Sequence, residues 1–138
     1  MYYKVCKVRD SRNWDSCIKI TPQSACRDMN DEYGVTYIKG HWVKPLVKNS
    51  SLFVFDTFKS AQNFTKESKW RNCAIFECQV KNPKKIKRFC LSIWQMWTFW
   101  NLRQQKKSVL NVRTAEVIKG TVICSAVKLG KMVEDCKN

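Results

Sequence analysis

Acidic residues are scarce in this chain of 138 residues, which has 11 Asp and Glu against 26 Lys and Arg and a formal net charge of +15. None of them lies between Glu77 and Glu116. The remaining carboxylates are spread along the chain, which argues against a hydrolase with paired carboxylates and against a carboxylate metal site. So large a positive charge attracts polyanions, namely nucleic acid, an anionic membrane or an acidic protein.

Glycine and histidine are also rare, with four glycines and one histidine. No Gly-x-Gly-x-x-Gly or Gly-x-x-x-x-Gly-Lys motif occurs, which excludes a Rossmann or P-loop nucleotide enzyme. The single histidine, His41, follows Gly40 and has no Cys or Asp at a diagnostic spacing. We therefore interpret it as structural rather than as a catalytic base, although a Cys–His pair could still meet in space.

The first residues contain no apolar core of a secretory signal, so the sequence predicts a cytoplasmic protein. In that compartment its eight cysteines are expected to be reduced and mostly buried. No Cys-x-x-Cys occurs, and the closest pair is Cys73-x4-Cys78. We therefore expect no zinc and no other metal site.

What the chain does contain is an aromatic block at residues 90–100 with basic residues on both sides. The candidate binding residues are Lys81, Lys84, Lys85, Lys87, Arg88, Trp94, Trp97, Arg103, Lys106 and Lys107. The block is too short to span a bilayer, so we expect no transmembrane segment. Three readings stay open: tryptophans that stack on bases, tryptophans at a membrane interface, or a core helix with solvated basic flanks.

Length and composition predict a single globular domain over residues 1–138, because the apolar and aromatic content is too high for disorder. β-Branched and aromatic residues predict strands at 2–8, 51–55 and 73–80. The segment 35–47 reads as a strand or irregular hairpin. Residues 117–129 read as one or two strands, followed by a polar tail.

Helical patterns are fewer. Asp56 or Thr57 is a good N-cap, and Phe58, Ala61 and Phe64 recur at helical spacing, which predicts a helix over 57–67. A second helix is expected in the aromatic block, and a short one after Thr21-Pro22. Together these elements predict an α+β fold with a mostly antiparallel sheet of about five strands and two or three helices.

The order strand, helix, strand over 52–80 carries a resemblance. The run Leu-Phe-Val-Phe-Asp-Thr-Phe-Lys-Ser-Ala-Gln-Asn-Phe at 52–64 and Ile-Phe-Glu-Cys-Gln-Val at 75–80 are similar to small uncharacterised phage and bacterial proteins. Those proteins in turn resemble the ADP-ribosyltransferase fold. The resemblance implies NAD as cofactor, with Arg9 as the NAD-contacting residue and Glu116 as the catalytic acid. No Ser-Thr-Ser, Glu-x-Glu or Gln-x-Glu motif accompanies it.

Two functional hypotheses follow. The first is a non-enzymatic binding protein, needing no cofactor, whose basic face at residues 81–113 contacts nucleic acid or an acidic protein. Its small size and lack of motifs are typical of an accessory or inhibitor protein of a virus or mobile element. The second is an ADP-ribosyltransferase-like enzyme or a degenerate relative. An NAD-sized cleft joining Arg9 to Glu116 would favour the enzyme, whereas a flat basic face would favour the binding protein.

Overall fold

The structure is a computed structural model that describes residues 1–7, 18–20, 35–46, 48–68, 73–90, 96–105 and 112–136. Over these residues the chain forms eleven strands and two helices. In chain order they are β1 (Tyr2–Lys7), β2 (Ile18–Ile20), β3 (Val35–Tyr37), β4 (Trp42–Val43), β5 (Leu52–Phe55), α1 (Phe58–Ser68), β6 (Cys73–Lys81), β7 (Lys84–Lys85), β8 (Arg88–Cys90), α2 (Met96–Gln104), β9 (Thr114–Glu116), β10 (Thr121–Cys124) and β11 (Ala126–Cys136).

Seven strands form one sheet in the order β4-β11-β6-β1-β5-β10-β7, and every pair in it is antiparallel. Two further antiparallel pairs, β2 with β3 and β8 with β9, lie outside it. The predicted α+β class is confirmed, as is the mostly antiparallel sheet, and the described residues contain two helices. The sheet has two strands more than the five expected, because its edge strands β4 and β7 span two residues each and are too short to leave a pattern.

The sheet is strongly curved. Strands β6, β1 and β5 lie between β11 and β10, yet only Ser125 separates β10 from β11 in the chain. In a flat sheet these two strands would be about 19 Å apart, whereas two Cα steps cover at most about 7.6 Å. The sheet must therefore curl so that the end of β10 meets the start of β11. The Ser125 N–H closes this junction by donating to the carbonyl oxygen of Lys81 at 2.9 Å.

Each face of the sheet carries its own core. The inner face holds residues of β1, β5, β6, β10 and β11 in one cluster, covered by Val35 and Tyr37 of β3. The outer face holds two clusters. Helix α1 covers one of them, and helix α2 with the β8–β9 pair covers the other. Side chains alternate along β6, since Ala74, Phe76 and Cys78 lie in the inner core and Cys73 and Ile75 in the outer one.

Helix α1 matches its prediction to within one residue. Thr57 is the N-cap, because its Oγ1 accepts a hydrogen bond from the backbone N–H of Ser60 at 3.1 Å. Ala61 and Phe64 are buried, and Phe58 packs beside them against β1 and β5. The spacing of these three residues therefore identifies the buried face of the helix.

Three other predictions differ from the structure or lie outside its described residues. The expected polar tail is wrong, because β11 continues to Cys136 and pairs with β6 past a register shift at 129–134. The helix expected in the aromatic block is α2, which covers only part of that block and extends beyond its end. The helix proposed after Thr21-Pro22 lies outside the described residues, and so does Val8.

Candidate functional site

A cavity of about 810 Å³ opens on the outer face of the sheet, and we call it the basic groove. Four of the predicted binding residues line it, from two segments of the chain: Lys84, Lys87, Arg88 and Arg103. The other lining residues are neutral, and no carboxylate is among the described residues that line the groove. Its electrostatic potential is therefore that of a cation cluster in a concave surface, where low-dielectric walls focus the field.

The basic residues of the first segment are held by backbone pairing. Lys84 lies opposite Ile123 of β10, whose side chain is part of the outer core. The Lys87 carbonyl accepts the N–H of Val117 at 2.9 Å. Arg88 is oriented by Thr114, because its Nε donates to Thr114 Oγ1 at 2.9 Å and one Nη to Thr114 O at 2.8 Å. These two bonds use two of the five guanidinium N–H groups and fix the plane of the fork that binds phosphate or carboxylate.

The second segment is placed by aromatic packing. Phe99 and Trp100 of α2 are buried against Phe53 and Phe89, with centroids 4.9 Å apart for Phe89 and Phe99 and 6.0 Å apart for Phe53 and Trp100. This packing seats the helix on the sheet. Arg103 then falls in its last turn, where the helix dipole favours a cation, and its exposed side chain lines the groove.

Neutral hydrogen-bonding groups complete the groove. Asn49 Nδ2 donates to Asn101 Oδ1 at 3.0 Å and ties the turn before β5 to α2. Asn82 Nδ2 donates to Ser125 Oγ at 2.9 Å across the closure of the sheet. Sequence patterns do not single out Asn49, Asn82 or Ser125 as site residues. Their only signal is that polar residues interrupt strands there, and Asn82-Pro83 reads simply as the stop of a strand.

The other predicted binding residues lie elsewhere or outside the described residues. Lys81 is turned toward Trp42, with its Nζ 4.5 Å from the ring centroid, and does not line the groove. Lys85 is exposed on β7 but is also absent from the lining. Trp94, Lys106 and Lys107 are not among the described residues, nor is the side chain of Trp97.

The aromatic block is core where the structure describes its side chains, apart from exposed Thr98. Cys90, Phe99 and Trp100 are buried, so the reading as a core helix with solvated basic flanks holds for this part. Phe99 and Trp100 are 2% and 1% exposed, which removes them as stacking or membrane-inserting groups. Trp100 Nε1 is buried without a hydrogen-bond partner among the described residues.

The residues implied by the resemblance are not shown to meet. Glu116 is exposed and lines a separate cavity of about 560 Å³, together with Glu67, Lys119 and residues of the first turns of α1. Arg9 lies outside the described residues. The described part of the chain also contains no group of three His, Cys, Asp or Glu placed to hold a metal ion. Among its helices, none is long and apolar enough to cross a bilayer.

An unexpected polar cluster lies in the inner core. Lys4 is fully buried, donates from Nζ to the Phe53 carbonyl at 2.5 Å and lies 5.4 Å from the ring centroid of Tyr37. Burial lowers the pKa of Lys4 to about 8, although three nearby thiols oppose this shift. Burial also raises the pKa of Cys78 to about 12 and that of Cys124 to about 11, with Lys4 opposing both shifts. Both thiols are buried, as predicted.

No protein-family model matches the chain, and neither a curated protein nor a solved structure matches it.

Proposed function

We propose that this protein binds single-stranded nucleic acid by holding its phosphates in the basic groove. One observation carries the proposal. Arg103 is distant in sequence from Lys84, Lys87 and Arg88, yet all four converge on one concave surface that has no described carboxylate in its lining. Neutralising the closely spaced phosphates of a nucleic acid releases condensed counterions, and that release supplies most of the affinity of such binders.

The shape of the groove supports a single strand over the other polyanions. A volume of about 810 Å³ suits a ligand of drug-like size, and thus a short stretch of extended chain rather than a duplex. Asn, Gln, Ser and Thr side chains line the groove together with the cations and can donate to phosphate and sugar oxygens. A broad acidic protein surface would instead need a flat or convex basic face.

The test is the salt dependence of binding to a labelled single-stranded dT12 oligonucleotide, measured by fluorescence anisotropy from 25 to 200 mM KCl. For the unmodified protein, log K should fall linearly with log salt. Replacing Lys84, Lys87 and Arg103 with Ala should reduce that slope by about 0.7 for each phosphate that is no longer neutralised, hence by up to about two units. Arg88 is left in place because its bonds to Thr114 also support the β8–β9 pair.

The matched control removes the same charge from elsewhere. Lys85, Lys66 and Lys131 are exposed and do not line the groove, so replacing these three with Ala should leave the slope nearly unchanged. Equal slopes in the two triple variants would overturn the proposal. So would absence of binding at 25 mM KCl, or displacement of the oligonucleotide by an equal charge of polyaspartate, which would favour an acidic protein partner.

The second hypothesis, an enzyme using NAD, concerns the cavity of Glu116 and is independent of the basic groove. It is supported by the placement of Glu116 beside the first turns of α1. Helix α1 belongs to the strand–helix–strand run over 52–80 that carries the resemblance. Its test is NAD hydrolysis or transfer by the unmodified protein, abolished in Glu116→Gln. Activity that is absent, or unchanged in that variant, would exclude it.

A further inference from the structure

Trp42 is an exposed aromatic residue between two lysines. It lies on β4, is 40% exposed and has the Nζ atoms of Lys81 and Lys128 at 4.5 and 5.8 Å from its ring centroid. Lys128 is its cross-strand partner on β11. Such cation–π interactions at an exposed site stabilise by about 0.5–1 kcal/mol, and they leave two-fifths of the Trp42 surface accessible to a ligand.

The curvature of the sheet brings this tryptophan beside the basic groove. Lys81 directly precedes Asn82, which lines the groove, and its carbonyl accepts hydrogen bonds from both the N–H and the Oγ of Ser125, another lining residue. The side chains of Lys81, Lys128 and Trp42 alternate with those of the inner core residues Val80, Val127 and Val43. They therefore lie on the outer face, which is also the face of the groove.

The groove itself has no exposed ring among its described residues. Its aromatic lining residues, Phe99 and Trp100, are buried in the core that supports α2. Proteins that bind single strands combine a cationic track for the backbone with exposed aromatic faces for the bases. A cationic groove without an exposed aromatic ring would bind the phosphates but gain no stacking energy from the bases.

We infer that Trp42 is the base-stacking platform of the nucleic-acid site, with Lys81 and Lys128 holding the phosphates on either side of the stacked base. The strand runs from the groove past the Asn82–Ser125 pair and onto β4. Lys81, which lies outside the groove, thereby joins the binding surface. This inference rests on the proposed function, since it requires a single strand in the groove.

The experiment compares Trp42→Ala with the unmodified protein on two ligands, dT12 and a 12-mer of the same charge whose sugars carry no bases. Loss of one stacked base should weaken binding to dT12 roughly 5- to 150-fold. Binding to the abasic strand should stay within about twofold, and the salt slope on dT12 should not change. Trp42→Phe should recover part of the affinity that Trp42→Ala removes. Leu46→Ala is the control, because Leu46 is a large apolar side chain that is 67% exposed and does not line the groove.

Each outcome separates this inference from the proposed function. Normal dT12 binding by Trp42→Ala, alongside a reduced slope in the Lys84, Lys87 and Arg103 variant, would overturn the platform and keep the groove. Equal losses on dT12 and on the abasic strand would show that Trp42 only positions its lysines, which also overturns stacking. If the unmodified protein binds neither strand at 25 mM KCl, both proposals fail. Trp42→Ala also removes two cation–π contacts and should lower the thermal midpoint more than Leu46→Ala does, so affinities are compared at a temperature where both variants are folded.

Discussion

At the scale of single residues, Lys4 is the one charged side chain among the described residues that is fully buried. Its ammonium group is fully buried and faces a backbone carbonyl and the Tyr37 ring, with no carboxylate among the described residues of that core. Burial penalises the charged form, which is why the pKa of Lys4 falls to about 8. Below pH 8 the folded protein therefore carries the full cost of a buried charge, and above pH 8 that cost is relieved.

We expect the difference in unfolding free energy between Lys4→Met and the unmodified protein to depend on pH, because Lys4→Met removes this cost. The unfolded lysine holds its proton up to about pH 10.5, so between pH 8 and 10.5 the unfolded state binds more protons and stability rises with pH. From pH 7 to pH 9 the stability of Lys4→Met relative to the unmodified protein should thus fall by roughly 1.4 kcal/mol. Urea unfolding of both proteins at each pH measures this change.

The matched variant is Lys131→Met, because Lys131 is exposed and water solvates its ammonium group in both states. The unfolding free energy of Lys131→Met relative to the unmodified protein should stay constant from pH 7 to pH 9. A constant difference for Lys4→Met as well would show that Lys4 keeps its proton in the folded protein up to pH 9, so that burial does not lower its pKa. The sequence could not predict this residue. Its alternation with Val5 places it on the same face as Cys6, but a lysine at that position reads as solvent-exposed.

At the scale of elements, α1 shows what a local pattern can predict. Its cap and its apolar spacing lie within a dozen or so neighbouring residues, and the sequence predicts both. Helix α2 is harder, because apolar residues cover most of the circumference of the aromatic block and no single face stands out. The continuation of β11 past Leu129 is not predicted, since Lys131 and Glu134 look like a solvated tail. Pairing with β6 is a tertiary effect that local sequence does not encode.

We expect Phe64→Ala in α1 to lower the free energy of unfolding by about 3–5 kcal/mol, because Phe64 is 2% exposed and packs 5.4 Å from the Phe55 ring. Phe58→Ala removes the same ring from a half-buried position in the same helix and should cost clearly less. Denaturant unfolding at constant m-value compares the two. Equal losses would mean that the helix does not rest on the sheet through Phe64.

At the scale of the whole molecule, the groove depends on the curvature of the sheet. The sequence predicts that the basic residues on both sides of the aromatic block form one binding face. Four of them line the basic groove together, namely Lys84, Lys87, Arg88 and Arg103. The sequence could not show that Asn82 and Ser125 would meet them, because their hydrogen bond exists only once β10 runs directly into β11. Register and curvature are set by many strand pairs at once, so no single segment predicts them.

The same charge that would attract a nucleic acid should destabilise the free protein, so salt is expected to act in opposite directions on folding and on binding. A net charge of +15 repels itself, and two like charges about 10 Å apart in water cost about 0.4 kcal/mol. Thermal stability without ligand should therefore rise from 25 to 200 mM KCl, while oligonucleotide affinity falls.

Replacing Lys84 and Lys87 with Ala should raise stability at 25 mM KCl by a few tenths to about 1 kcal/mol. The gain should shrink at 200 mM, where screening shortens the reach of the remaining repulsion. If the variant is instead destabilised equally at both salt concentrations, these lysines support the fold through their packing, and their removal cannot be used to measure phosphate binding.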